Sequence, residues 1–539
     1  MKYDIIIFGG GISGLTLAHE LIKKNFRILV VEKDNKMGGM AKSNIENNGI
    51  PSEHSWRGYA PFYKNLFQII KEIPYKKTNV FSNLSVPIEF YLLYDDVKNY
   101  KPKLSISDNF ILYYLGIKYL LANKRKYKYY SYNIEPFLKK YLSNDGYNMI
   151  INFITGPGYG MNKNEISMGH LLHFPVISQI NKKNYKHTHT NKNNTYQHHS
   201  TDGWHVMNGP TNEVWIKPWI KYLKKQGIDF INNSKLINFN HMNNSIVSVN
   251  IKINGVKNVL IAKEYILATN PYGTLDIFKN SGMDNLKKKF HLLTKNTKSK
   301  QISFRIGINK IINYPITNIG FVMNDSEFNI TWYPQEKHWD NKPYIKSLWS
   351  GTIIDFEKKG KIFNKSAEFL NKAQLKIEIK YQILRSKSFQ KLIYENNDFY
   401  IRKKDIDYIE IWNEWSFANG KQEHKNKKWV NNIHNDKYRP SQLTSFTNLY
   451  LSGAHTQTTI NIWSMEGAVE SGKITANIIL DKYKIDKIKH YKHINSLSLR
   501  MIQNIDDIFY KLYLPNLLDI LLIVLIIILF CVIKKNHFI

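Results

Sequence analysis

The sequence predicts a doubly wound α/β fold, and three local patterns point to it. A strand-like run from Tyr3 to Phe8, apolar from Ile5 on, leads at once into Gly9-Gly10-Gly11-Ile12-Ser13-Gly14. The next stretch, Ser13 to Lys24, places Leu15, Ala18, Leu21 and Ile22 on one face of a helix. Arg27 to Glu32 then reads as a second buried strand that ends on an acid. Strand, glycine turn, helix and strand make a βαβ unit, the building block of a parallel sheet covered by helices.

Each residue of the turn has a physical task. Gly9 permits a tight bend, Gly11 lets a pyrophosphate approach the backbone, and Gly14 lets helix and strand pack closely. Ile12 and Ser13 open the helix, whose unpaired N–H groups and partial positive charge suit phosphates. Glu32, followed by Lys33, stands at the spacing expected of an acid that binds ribose hydroxyls and repels a 2′-phosphate. The unit therefore predicts a dinucleotide site.

The chain has 539 residues, enough for two or three domains, and an ordinary apolar share of 43%. The formal charge of +33 comes mostly from dispersed lysines amid many Asn and Ile, which reads first as solvated surface. Membrane headgroups are the next reading. Nucleic acid is not expected, because no zinc-finger or RNA-binding signature is present. The single cysteine, Cys531, allows no intramolecular disulfide and fits a reducing compartment. It also argues against a zinc cluster, and no metal is expected. The polar run from Asn181 to Ser200 holds His187, His189, His198 and His199. A metal site there is conceivable, but a solvated insertion is the better reading.

Met1-Lys2-Tyr3 enters a strand too directly for a secretory signal. Leu512 to Ile533 is apolar apart from Pro515, Asn516 and Asp519, and Lys534-Lys535 follows. About 20 such residues span a bilayer. A membrane anchor over 512–533 is expected, with the catalytic body facing the cytosol; a buried terminal helix is the alternative.

Between these ends, Phe110 to Leu121 is apolar and aromatic and precedes Lys124-Arg125-Lys126. It reads as a core helix, with a cavity lining or an interfacial helix as alternatives. Trp215 to Lys225 suggests a helix stopped at Gly227. Phe230-Ile231, Ile246 to Ile253, Glu264 to Thr269 and Leu449 to Ser452 suggest strands, and Ser464 to Leu480 a long helix. The nucleotide domain is thus expected in three pieces, 1–75, 205–275 and 445–483. A polar, basic link over 484–511 would lead to the anchor.

Four blocks add a resemblance. Met37-Gly38-Gly39-Met40 follows the second strand, where a second glycine turn is typical of FAD enzymes. Pro51-Ser52-Glu53-His54-Ser55-Trp56-Arg57-Gly58-Tyr59 is similar to the Glu-His-Gly-Phe-Arg region of carotenoid desaturase-like flavoproteins. Asn208 to Ile216 resembles a segment of the same subgroup. Tyr450-Leu451-Ser452-Gly453-Ala454-His455-Thr456, followed by Met465-Glu466-Gly467-Ala468, looks like the C-terminal flavin motif. Together these blocks resemble the flavin amine oxidase and phytoene desaturase superfamily. Two departures stand out. The family's Gly-Gly-Arg is Gly38-Gly39-Met40 here, with Lys42 a possible replacement, and His455 stands near where an Asp or Glu often binds the flavin's sugar chain.

The resemblance implies FAD held without a cysteine link, since Cys531 lies in the expected anchor. It implies a substrate-binding domain of α+β type interleaved over 76–204 and 276–444. It assigns cofactor contacts to Gly9, Gly11, Ile12, Ser13, Gly14, Glu32, Lys33, Gly38, Gly39, Met40, Lys42, Arg57, Gly453, His455, Met465, Glu466, Gly467 and Ala468. Candidate catalytic residues are His54, Lys300 and Trp463. Flavin N5 accepts a hydride, and the expected donor is a hydrophobic, isoprenoid or lipid substrate in desaturase- or isomerase-like chemistry. Amine or polyamine oxidation is the alternative. Against it, Ser464 stands where related monoamine oxidases have a tyrosine. A non-catalytic prenyl-binding escort protein is the further alternative.

Overall fold

Strands that are apolar on both sides need cover on both sides, and the central sheet obeys this. Tyr3–Phe8 (β1) and Ile28–Val31 (β2) flank the Ile12–Ile22 helix (α1). Asp229–Ile231 (β3), Ala262–Leu267 (β4) and Leu449–Leu451 (β5) join from far along the chain. All neighbours run parallel in the order β5-β4-β1-β2-β3. That is the doubly wound order, and its crevice lies at the carboxyl ends of β1 and β4. The computed structural model describes residues 2–46, 49–53, 57–93, 104–151, 161, 163–181, 204–295, 302–314, 319–337, 339, 345–412, 415–424, 428–493 and 495–536.

Side chains alternate between the two cores. Ile5, Ile7, Ile28 and Val30 pack with Leu15, Leu17 and Leu21 of α1 and with Val469 and Ile479 of the Met465–Lys482 helix (α2). Ile6, Phe8, Leu29 and Val31 pack instead on Phe239, Val249 and Ile251. These belong to an antiparallel meander, Ser234–Met242, Ser245–Ile253 and Val256–Leu260. One-residue alternation thus decides which face of the sheet each layer covers.

A second sheet of seven strands, with mixed pairing, is ordered 406–411, 302–308, 347–353, 330–334, 319–323, 84–93 and 204–207. One face is strongly apolar. Phe304, Ile306, Trp332 and Trp349 meet Leu375, Ile379 and Ile383 of the Lys372–Arg385 helix and Phe389 and Leu392 of the Lys387–Asn397 helix. The other face meets the Pro51–Glu53 strand, where Ser303 Oγ donates to the Glu53 carbonyl at 3.2 Å.

The C-terminal part differs from the sequence expectation in two ways. The apolar helix, α4, runs Leu517–Asn536 rather than starting at 512. Asp506 Oδ1 accepts the Leu517 N–H at 3.0 Å, and Asn516 accepts that of Leu518, so the helix is capped there. The helix is long and apolar enough to cross a membrane, and beyond its first turn its apolar side chains are largely exposed. The expected link holds a second helix, Leu497–Lys511 (α3). Its polar side is the buried one: Gln503, Asp506 and Asp507 face the body. Leu497, Met501, Ile505 and Ile508 point outward.

The Ile106–Leu121 helix also departs from a pure core helix. Leu115 and Tyr119 are buried, while Ile106, Phe110 and Tyr113 are 91%, 70% and 72% exposed. Its last carbonyls are satisfied by α3, because Gln503 Nε2 donates to Leu120 O at 2.7 Å. Asp506 pairs with Arg125 at 3.2 Å, and Asp507 accepts from Asn123 and from the Lys124 N–H.

Candidate functional site

The two glycine turns meet at the crevice. Gly9 has φ +112°, and a Cβ there would lie 2.5 Å from the Ala268 carbonyl at the end of β4. Only glycine tolerates both conditions. The Gly38 N–H donates to Gly10 O at 2.7 Å, which fastens the second turn to the first. The N-cap of α1 is Gly11, without a side-chain acceptor, and its first turn has no acid. Its leading N–H groups and its positive end therefore stay available to an anion. A Cβ on Gly11 would meet only Gly39 Cα, at 3.8 Å, so the side chain is missing where space exists in front of the helix. That cradle fits a pyrophosphate.

Glu32 lies behind the turn. Its carboxylate accepts the Gly10 N–H at 2.8 Å and the Asp34 N–H at 3.0 Å. Burial raises its pKa above the ordinary carboxylate value. Lys42 pairs with Asp34 at 2.6 Å. Lys33 is exposed. Arg57 instead places a guanidinium over the second turn: Nη2 donates to Met40 O at 2.8 Å and Nη1 to Thr211 Oγ1 at 3.1 Å. Glu53 accepts from Arg57 at 3.2 Å and from the Thr211 N–H at 2.9 Å. Asn212 and Ser43 exchange two hydrogen bonds, which join the third block to the hairpin after the glycine turn.

The last block reaches the same crevice through hydroxyls. Ser13 Oγ and Ser452 Oγ are 2.5 Å apart. Ser471 Oγ accepts the Gly453 N–H at 2.9 Å and lies 2.7 Å from Thr456 Oγ1. Gly472 allows this approach, since a Cβ would lie 2.9 Å from Ser13 O. The N-terminus of α2 is capped by Ser464, which accepts the Gly467 N–H at 3.1 Å.

Two family models match this frame: an NAD(P)-binding Rossmann-like domain over residues 7–73, and a flavin-containing amine oxidoreductase over residues 424–480. These two matches support a flavin amine oxidase-like, FAD-dependent oxidoreductase. Solved structures show the same fold at low identity. Putrescine oxidase bound to putrescine is 11% identical, with 89% of this chain and 99% of that chain covered and a TM-score of 0.60. Cyclohexylamine oxidase from Brevibacterium oxydans is 13% identical, with 90% and 100% covered and a TM-score of 0.56. A protein assigned as protoporphyrinogen oxidase, from Exiguobacterium sp., is 11% identical, with 89% and 99% covered and a TM-score of 0.56.

FAD is the superfamily's cofactor, and the glycine cradle and uncapped α1 terminus fit it. Not every expected contact faces the crevice in the same way. Glu466 of the superfamily's C-terminal motif is fully buried and accepts the N–H groups of Asn65 and Leu66 at 2.9 and 2.8 Å. It thereby caps the Lys64–Glu72 helix, and His493 Nε2 approaches it at 3.1 Å. His455 is buried against Phe290 and Trp429, and its Nε2 has no hydrogen-bond partner among the described residues. Burial, with repulsion from Arg439, pushes its pKa down to about 3, so it is neutral. Trp463 packs edge-on against Trp429, ring centres 5.0 Å apart. His54 and Lys300 lie outside the described residues, as does the histidine run 187–199. Cys531, the lone thiol, is exposed on α4, far along the chain from the flavin motif.

Sequence reasoning missed Arg439. It is buried and donates to Ala454 O at 3.1 Å and to Thr456 O at 2.5 Å, bracing the loop after β5. A single arginine before a proline has no spacing signature, so only the fold reveals it.

Proposed function

We propose that this FAD-dependent oxidoreductase sits on a membrane and takes a hydride from an activated C–H bond of a hydrophobic, lipid-phase substrate, with its body on the cytosolic side. FAD, when bound, supplies the hydride acceptor. The chain's own residues would hold it: Gly11, Ser13 and the α1 terminus at the pyrophosphate, Glu32 at the ribose, Arg57 by the second turn, and the α2 terminus toward the ring. The observation that supports a lipid-phase substrate is the shared outward face of three helices. The Ile106–Leu121 helix, α3 and α4 all present apolar residues to the outside while their polar groups are spent on one another. Lys124 and Lys128, both exposed, border them and suit anionic headgroups. A desaturation or an isomerisation would follow from such delivery. The test is turnover of flavin absorbance by polyisoprenoid lipids presented in vesicles; reduction by soluble amines alone would sink the proposal.

Amine oxidation is the second reading, favoured by the named substrates of the putrescine and cyclohexylamine oxidases. Ser464 at the α2 cap, in place of the tyrosine of related monoamine oxidases, speaks against it.

A further inference from the structure

Arg305 occupies an unusual place. Ile302, Phe304, Ile306 and Ile308 of its strand fill the helix-packed core. Alternation turns Ser303, Arg305 and Gly307 to the other face, toward the hairpin that follows the second glycine turn. Arg305 is 1% exposed. Nη1 donates to the Phe304 carbonyl at 3.2 Å, whereas Nε and Nη2 have no partner among the described residues. These two N–H groups project from one edge of the guanidinium, the edge that grips a carboxylate or phosphate with two parallel bonds.

The acids around it are committed elsewhere. Glu53 serves Arg57 and Thr211, Glu46 accepts from Ser52, and Glu410, opposite Arg305 in the sheet, pairs with Lys376 at 3.1 Å. Glu53 attracts Arg305 without hydrogen-bonding it, and Arg57 adds a second positive charge. On the same face, Tyr408 Oη, Thr331 Oγ1 and Thr352 Oγ1 also lack partners among the described residues. A buried cation without a hydrogen-bonded acid is costly, and hydroxyls on its face of the sheet can contribute to an anion's shell.

We infer that Arg305 is a specificity-determining residue that binds an acidic group, carboxylate or phosphate, of the substrate. The inference rests on the lipid-phase reading for the apolar part of the substrate and adds an acidic end. The substrate class is then an acidic amphiphile, and a cationic amine would be repelled.

The test uses the full-length, FAD-loaded protein in detergent and reads flavin difference spectra. The probes are oleate, lysophosphatidate, methyl oleate, oleylamine and butyrate. Oleate or lysophosphatidate should perturb the spectrum, and which of them does so identifies carboxylate or phosphate. Arg305→Met should weaken that binding by about tenfold or more, Arg305→Lys by less, and methyl oleate should respond to neither change. Binding of butyrate that depends on Arg305, with no gain from the oleoyl chain, would keep the anion site and remove the lipid reading. Equal binding of oleate and methyl oleate, unchanged in Arg305→Met, would overturn the inference. So would loss of FAD itself in both Arg305 variants, because the anion would then be the cofactor's pyrophosphate.

Discussion

Lys118 Nζ lies 2.6 Å from Asp519 Oδ2, so the first turn of the apolar C-terminal helix is tied to the side of the Ile106–Leu121 helix. Tyr114 Oη donates to the other carboxylate oxygen at 2.5 Å. A helix that merely tethered the body would need no such clamp. On the membrane reading proposed above, Asp519→Leu should loosen the body from the vesicle surface without releasing it. The expected readout is trypsin cleavage near Lys487, Lys489 and Lys492, faster by several-fold while flavin content holds. An unchanged cleavage rate would remove the clamp's role.

The cradle can be separated from the scaffold by two alanines. Gly11→Ala meets only Gly39 Cα at 3.8 Å, so the fold should keep its melting temperature while bound flavin falls about tenfold or more. A Cβ at Gly14 would press on the Gly9 carbonyl and on Ile7, so Gly14→Ala should lose about 1–3 kcal/mol of stability as well. Flavin absorbance after gel filtration, beside a thermal melt, reads both. Full flavin retention in Gly11→Ala would falsify the cradle assignment.

Acid should destabilise this protein through its buried histidines. Burial pushes His170, His173 and His455 down to about 3 from an ordinary 6.5. The unfolded chain therefore binds more protons than the folded one between those values. Stability is full above about pH 6.5 and declines as pH falls toward 3, by about 1.4 kcal/mol per pH unit for each such histidine. His173→Asn should flatten the slope of unfolding midpoint against pH; a slope identical to wild type would count against the assignment.

Glu466 offers a sharp test of role, because it sits in the flavin motif yet caps another helix. Glu466→Gln should cost about 1–3 kcal/mol of stability, since two helix N–H groups and His493 lose a charged acceptor. At saturating FAD the flavin spectrum should match wild type. A shifted spectrum with unchanged stability would return Glu466 to the cofactor.

Much of this was readable before folding. The β1-α1-β2 unit, the second glycine turn and the α2 start are contiguous patterns, and local backbone rules identify them. The Leu497–Lys511 helix was not, because its polar side is the buried one and the usual assignment of faces fails there. Arg305 was equally hidden. In a strand that alternates Ile and Phe with Ser, Arg and Gly, the polar positions read as solvent-facing, yet this face is covered by the Ser43–Ile45 and Pro51–Glu53 hairpin.

By itself the sequence determined the dinucleotide turn, its acid, the flavin-type closing motif and a helix fit to span a membrane. These depend on φ restrictions, on helix ends and on runs of apolar residues, all properties of neighbours in the chain. Only the tertiary structure decided that Ser13 meets Ser452, that Arg57 rather than residue 40 or 42 reaches over the second turn, and that Arg305 is buried with two N–H groups unpartnered among the described residues. Those outcomes depend on pairings between distant segments, where burial sets whether a charge is solvated, paired or left to meet a ligand.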